Sequence, residues 1–238
     1  MIGFQRPSAL VKAYFNLPRI EIALGGQGEC REIYEKWSAR HPRFPLVGRK
    51  EIGVALVELP VDFDDYLRGK EKEYMRRRRN RALRLGYSFR SFLIDEEIEN
   101  VMQVNLSMET RQGRSIEAGY LKRDEVLGFH RRGGWNYGVF DSDGKLVAYT
   151  YVPICGEMAM LSRLFGHGDH LENGVMYLMI SEVIRELLNA RISRQRLRWL
   201  NYDMWYGAAS GLRFFKQHLG FQPYRVTWIW DDKLSQCC

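Results

Sequence analysis

The sequence predicts an α/β fold of the α+β kind: a mixed, mostly antiparallel twisted sheet with helices on both faces. Three observations lead there. From residue 87 onward, short strand-period and helix-period segments alternate, as they do when helices are laid on a sheet. Two runs rich in β-branched and aromatic residues flank Asp141-Ser142-Asp143-Gly144, whose Asp-Gly step is a hairpin turn signal. Met176, Met179, Ile180, Val183, Ile184, Leu187 and Leu188 recur at three- and four-residue steps, which gives one apolar helix face.

Taken in order, Ile20 to Leu24 and Ile52 to Leu59 read as strands, the first ending in Gly25, Gly26 and Gly28 and the second at Pro60. Between them lie a helix, Glu29 to Trp37, and an extended link through Pro42 and Pro45. Asp62 to Arg84 reads as one helix, entered through acidic residues able to cap it and ended at Gly86. Tyr87 to Ile94 is then a strand, and Glu96 to Met108 and Leu121 to Arg131 are helices. Trp135 to Phe140 and Lys145 to Pro153 form the hairpin, and Met158 to Phe165 is a further strand after the turn at Gly156. Beyond the Met176 helix come a strand at Leu197 to Tyr202, a helix at Ala208 to His218 and a strand at Gln222 to Trp230. The domain organisation expected is an N-terminal β-containing extension over 1–70, a basic connecting helix over 71–86, the main lobe over 87–232 and a tail over 233–238.

Apolar residues make up 45% of the chain and charged residues 27%, ordinary globular values that indicate neither a disordered nor a membrane-embedded class. No apolar run is long enough to cross a bilayer, and Met1 to Leu10 lacks a signal-peptide core, so a soluble cytoplasmic protein is expected. Cys30, Cys155, Cys237 and Cys238 form no CxxC pair and no spaced Cys/His set; no metal site is expected and no disulfide is implied. The terminal Cys237-Cys238 pair resembles a doubly prenylated tail, which carries meaning only in a eukaryotic trafficking protein, and is read as accidental. A net charge of +7 favours an anionic partner, and much of the excess sits in one run, Arg76, Arg77, Arg78, Arg79, Arg81 and Arg84.

Three local sequences carry a resemblance. Gly211-Leu-Arg-Phe-Phe-Lys-Gln-His-Leu-Gly-Phe221 resembles the closing helix-to-strand motif of GNAT acyltransferases. Tyr74-Met-Arg-Arg-Arg-Arg-Asn-Arg-Ala-Leu-Arg-Leu-Gly-Tyr87, preceded by Asp62-Phe-Asp-Asp-Tyr-Leu67, resembles the FemAB-family helix that feeds the first strand of a GNAT lobe. Asn105-Leu-Ser-Met-Glu-Thr-Arg-Gln-Gly-Arg114 resembles the acceptor-side segment of such lobes. Over roughly 51–230 the chain is thus similar to the FemAB/FemX-like branch of the GNAT superfamily, with the N-terminal part at most a truncated second lobe.

The resemblance implies an acyltransferase whose donor is aminoacyl-tRNA, with tRNA and a small-molecule or peptide amine as partners and no tightly bound cofactor. The alternative donor is acyl-CoA or an acyl carrier protein, although the usual CoA cradle is absent and Asp169 and Glu172 add negative charge where a pyrophosphate would lie. A non-catalytic nucleic-acid-binding module is the third reading. Arg77, Arg81 and Arg84 stand at i, i+4 and i+7 and form one stripe, which either grips phosphates or sits solvated. Gly166, Gly168 and Gly174 are the expected phosphate-loop glycines, placed before a helix N-terminus. Asp203 is the expected residue for orienting or deprotonating the amine, Tyr202 or Tyr206 for protonating the leaving group, and His167 a second base candidate. Glu109, Arg111, Arg163, Asn201 and Trp205 are the expected substrate contacts, with Glu109 and Arg111 equally able to form a local ion pair. These assignments presuppose an opening between the strands ending near Phe165 and Tyr202.

Overall fold

The computed structural model describes residues 15–42, 44–111 and 114–236. Met1 to Leu10, Cys237 and Cys238 lie outside the described residues. The chain divides into two compact units, one of Met1–Leu59, Ile154–Met160 and Arg191–Cys238, the other of Pro60–Pro153 and Leu161–Ala190.

The first unit is a six-stranded mixed sheet in the order β1 (Arg19–Leu24), β14 (Gln222–Trp230), β4 (Ile52–Glu58), β13 (Trp199–Met204), β11 (Met158–Met160), β10 (Ile154–Cys155). β1 runs parallel to β14 and β11 parallel to β13; the other neighbours are antiparallel. Val54, Ala55, Leu56 and Val57 are all buried, so β4 carries an unbroken apolar run rather than an alternating one. Helix α1 (Glu29–Ser38) buries Cys30 and Trp37 in a core with Ile22, Leu24, Met158, Trp199 and Trp228. A small hairpin of β2 (Arg40–His41) and β3 (Phe44–Gly48) occupies the stretch expected to be an extended link.

Two features of this unit escaped the sequence. Cys30 and Cys155 form a disulfide across a separation of 125 residues, although no spacing implied one. Glu157 binds the free edge of β1: its carboxylate accepts from Ala23 N–H at 2.9 Å, and its own N–H donates to the Ala23 carbonyl.

The second unit is a four-stranded antiparallel sheet in the order β12 (Ser162–Gly166), β9 (Leu146–Val152), β8 (Trp135–Phe140), β5 (Ser88–Ser91). Helices α4 (Ile94–Leu106) and α5 (Arg123–His130) pack on it through Ile98, Val101, Val104, Val126 and Leu127. Short strands β6 (Thr110–Arg111) and β7 (Arg114–Ser115) pair after α4. Helix α6 (Val175–Arg191) carries the expected apolar face, and α7 (Ser210–His218) belongs to the first unit.

The single helix expected over 62–84 is broken. A short α2 (Phe63–Leu67) and a 3-10 turn (Lys70–Lys72) precede α3 (Glu73–Arg84), with Gly69 at φ 101 between them. The strand expected over 158–165 is also divided. Its first half, β11, pairs with β13 as far as Met160↔Asn201; after Leu161 its second half, β12, pairs with β9 in the other sheet.

Candidate functional site

The arginine run sorts itself by helix face. Arg76 donates to the carbonyls of Leu67 and Gly69 and closes the break before α3. Arg79 makes a two-pronged ion pair with Glu182 of α6, both side chains largely buried. Arg77, Arg78, Arg81 and Arg84 instead line a concavity of about 320 Å3. None of these four forms an ion pair among the described residues. Arg78 has a buried Nε with no hydrogen-bond partner, and Arg81 reaches Asn173 Oδ1 at 3.4 Å.

The loop before α6 meets this helix. Gly174 has φ 91, and a Cβ there would lie 2.2 Å from the Arg78 carbonyl oxygen, so only glycine permits the approach. The preceding 3-10 turn is pinned from below: Tyr87 Oη contacts His170 Nδ1 at 2.6 Å and accepts from Asn173 Nδ2 at 2.9 Å. Gly168 N–H donates to Ser107 Oγ, and His167 Nδ1 caps the turn by accepting from Asp169 N–H. Burial holds the His167 pKa below its ordinary value.

Glu109 is exposed, and Arg111 does not pair with it. Arg111 donates to the carbonyls of Gly166 (2.8 Å) and Val104 (2.5 Å), bracing β12 against the end of α4.

Arg163 is different. It stands at the bulge of β12 with φ 48, a conformation that non-glycine residues hold at about 1–3 kcal/mol. Its guanidinium lies 3.8 Å from the Phe129 ring centre and 4.4 Å from that of Tyr120. Its Nη1 is buried without a partner, which costs a further ~1–3 kcal/mol. Two ring contacts of about 0.5–2 kcal/mol each are at best comparable to these losses.

Beside it, His130 is 2% exposed. Asn136 Nδ2 donates to the His130 carbonyl, so Asn136 Oδ1 faces His130 Nδ1, at 2.6 Å, as an acceptor. The proton therefore sits on Nδ1, and Nε2 is a buried lone pair with no partner. Desolvation, with the Arg163 charge adding to it, lowers the His130 pKa to about 4. Neither sequence spacing nor any motif flagged His130; its one signal is its place three and four residues after Leu127 and Val126 on the apolar face of α5.

In the first unit, Asn201, Tyr202, Asp203, Trp205 and Tyr206 are brought together at the end of β13. Asn201 is buried and acts as a brace, donating to the Ala55 carbonyl and accepting from Asp203 N–H at 3.0 Å. Asp203 takes φ 50 at the register shift of β13, which turns its side chain, 63% exposed, onto Lys50. Burial pushes its pKa up, but the charges of Lys50 and Lys216 outweigh that and hold the carboxyl below its usual value.

Lys216 was missed by the sequence reading. It is 1% exposed and its Nζ donates to the carbonyls of Tyr202 (2.6 Å) and Met204 (2.8 Å), on either side of Asp203. Burial lowers its pKa to about 8. Tyr202 packs edge-on to Phe215 and Phe221, and burial raises its pKa. Trp205 N–H donates to the Gly53 carbonyl, and the Tyr206 ring covers Gly53, where a Cβ would lie 2.1 Å from the ring. Phe165 belongs to the second unit and Tyr202 to the first, so the two ends of the expected opening fall in different units.

Among the described residues, no group of three His, Cys, Asp or Glu side chains could hold a metal ion, and no helix is long and apolar enough to cross a membrane.

No protein-family model matches the chain, and no curated protein matches its sequence. Solved structures do match. FemX superposes with a TM-score of 0.52 at 10% identity, over 72% of this chain and 59% of FemX. A conserved protein of unknown function from Bacteroides thetaiotaomicron gives 0.51 at 19% identity, over 71% of this chain and 56% of the other. L-PGS from Bacillus licheniformis gives 0.48 at 18%, over 73% and 62%. The chain thus spans about three fifths of the length of these proteins. At such identities the likeness is one of fold, and the fold is the one expected: this chain, like FemX, is built on the GNAT fold.

Proposed function

We propose that the chain is an acyltransferase that moves an aminoacyl group from aminoacyl-tRNA to the amine of a small molecule or peptide. The amine nitrogen attacks the ester carbonyl carbon, the C–O bond to the ribose breaks, and the amine proton ends on the ribose hydroxyl. The observation that carries this reading is the concavity lined by Arg77, Arg78, Arg81 and Arg84. Clustered cations without carboxylate partners favour an anion, and phosphates supply it.

The length of the stripe favours RNA over a single pyrophosphate. Positions i to i+7 on a helix span about 10 Å, longer than one pyrophosphate and enough to meet successive phosphates along a strand. Asp169 and Glu172, both exposed in the turn before α6, disfavour a compact pyrophosphate there. Gly166, Gly168 and Gly174 shape that turn, and Gly174 lets it sit on the Arg78 backbone.

In the first unit, Asp203 is ionised and takes the role of orienting the attacking amine. Tyr206 serves as proton donor to the leaving oxygen, and Tyr202, packed against Phe215 and Phe221, is the alternative donor. His167, which burial keeps neutral near pH 7, is the reserve base in the second unit. Asn201 and Trp205 hold the Asp203 turn, as Arg111 holds β12; Glu109 is left as an exposed acceptor contact.

The test is to incubate the protein with labelled charged tRNA and with labelled acetyl-CoA in separate reactions, each with a cell extract as the source of amines. Label from tRNA in an amide product is the expected result. Label from acetyl-CoA alone overturns the donor in favour of acyl-CoA or an acyl carrier protein. RNA binding without transfer from either donor, unchanged in Asp203→Asn, leaves a binding module. For Arg77→Gln/Arg81→Gln, the slope of log affinity for tRNA against log salt is expected to shrink by about 1.4–1.8.

A further inference from the structure

Among the described residues, the four arginines that line the α3 concavity have one hydrogen-bonding side chain between them: Arg81 Nη2 donates to Asn173 Oδ1 at 3.4 Å. Elsewhere on the same helix, guanidinium groups are held by a carboxylate or by carbonyls, Arg79 by Glu182 and Arg76 by Leu67 and Gly69. An amide differs from a carboxylate in the way that matters at a binding array. It fixes the direction of the guanidinium and leaves the charge intact for a ligand.

The polarity of the contacts behind Asn173 is set by Arg81. A guanidinium has only donors, so the Asn173 oxygen faces Arg81 and the Asn173 nitrogen faces Tyr87 Oη, at 2.9 Å. The phenol oxygen therefore accepts, and its own proton goes to His170 Nδ1, at 2.6 Å. The anchor of this chain is rigid. Tyr87 is 8% exposed and its ring lies edge-on to His170. Its N–H donates to the Ala82 carbonyl as part of the cap that ends α3, where Gly86 takes φ 83. Tyr87 is thus fixed to the helix that carries the array. Packing requires only its ring, which phenylalanine would supply; the hydroxyl is what locks the amide. All of these residues belong to the second unit.

We propose that Tyr87 and Asn173 are positioning residues for anion capture: Tyr87 locks the Asn173 amide, and the amide holds Arg81 at the concavity without neutralising it. Residue 173 then decides whether the array takes an incoming phosphate or a counter-ion of its own. This rests on the phosphate-binding reading of α3 given above, and it is tested without acyl group, acceptor or turnover.

The probe is a labelled, uncharged-with-amino-acid, single-stranded oligoribonucleotide, its affinity measured against salt concentration with melting temperatures in parallel. Tyr87→Phe and Asn173→Ala are each expected to weaken binding about threefold to tenfold with the salt slope unchanged, because every charge remains. In an Arg81→Gln background neither substitution is expected to weaken it further, a pattern that damage to the fold would not produce. Asn173→Asp places a carboxylate on Arg81 and is expected to lower the slope by about 0.7, the share of one phosphate of a single strand. Unchanged affinity in Tyr87→Phe, losses that add in the Arg81→Gln background, or a wild-type slope in Asn173→Asp overturns the proposal and leaves the phosphate reading standing. Wild-type affinity that ignores salt, or that survives unchanged in Arg77→Gln/Arg81→Gln, overturns both.

Discussion

Replacing His130 by asparagine keeps an amide N–H able to face Asn136 but removes the titrating ring. In the native protein, desolvation first, then the Arg163 charge, hold the His130 pKa at about 4 against the ordinary 6.5, while the hydrogen bond to Asn136 opposes them only in part. Above pH 6.5 the imidazole is neutral in both folded and unfolded chains, and its contribution to stability is fully present. Below that, the unfolded chain binds a proton that the native chain refuses until about pH 4, so stability is lost as pH falls through this window. At about 1.36 kcal/mol per pKa unit the loss amounts to about 3 kcal/mol. Urea unfolding of wild type and His130→Asn from pH 8 to 4.5 measures it, since carboxylates titrate alike in both proteins. The variant starts less stable, but the gap between the two curves should narrow by about 2–3 kcal/mol towards pH 4.5. Parallel curves over that range would refute the buried, neutral imidazole.

Gly174→Ala places a methyl 2.2 Å from the Arg78 carbonyl oxygen at φ 91; a loss of at least ~2 kcal/mol, roughly 4–8 °C in Tm, is expected by calorimetry. Cys30→Ser/Cys155→Ser opens a loop with a separation of 125 residues. Chain entropy sets an expected loss of about 4–5 kcal/mol, and a melting temperature indifferent to reductant in wild type would count against the bridge. Lys216→Met strips two carbonyls of their donor but also removes a buried charge. The balance expected is a loss of about 2 kcal/mol, together with hydrogen-exchange opening confined to Tyr202–Met204; unchanged exchange there would show that the lysine does not hold the turn.

What the sequence made legible follows from what its periods encode. The Asp143-Gly144 hairpin, the α6 stripe and the β14 strand rest on local pattern, and each stands where the pattern put it. Features set by partners distant in sequence stayed hidden. Nothing between Met158 and Phe165 announces that the two halves pair with different sheets, because that depends on β13 and β9. Gly69 falls inside the helix read over 62–84; its φ of 101, and the carbonyls taken by Arg76, mark the break. Within α7, Phe214 is 51% exposed while Lys216 is buried, the reverse of what residue type suggests. The arginine stripe was visible at i, i+4 and i+7, yet the withdrawal of Arg79 to Glu182 needed α6 in place.

The interleaving of the two units sets an order of assembly during synthesis. Apart from seven residues, Ile154–Met160, the second unit is one nearly continuous stretch that leaves the ribosome before residue 191. The first unit cannot close so early. β1 waits for β14, and β4 waits for both β13 and β14, so two apolar strands made before the second unit stay unpaired until Trp199–Met204 and Gln222–Trp230 emerge. Glu157 and the Cys30–Cys155 bond are the first groups able to hold β1 and α1 in the interim, and a nascent chain stalled past residue 160 is where that provisional tether would first be detectable.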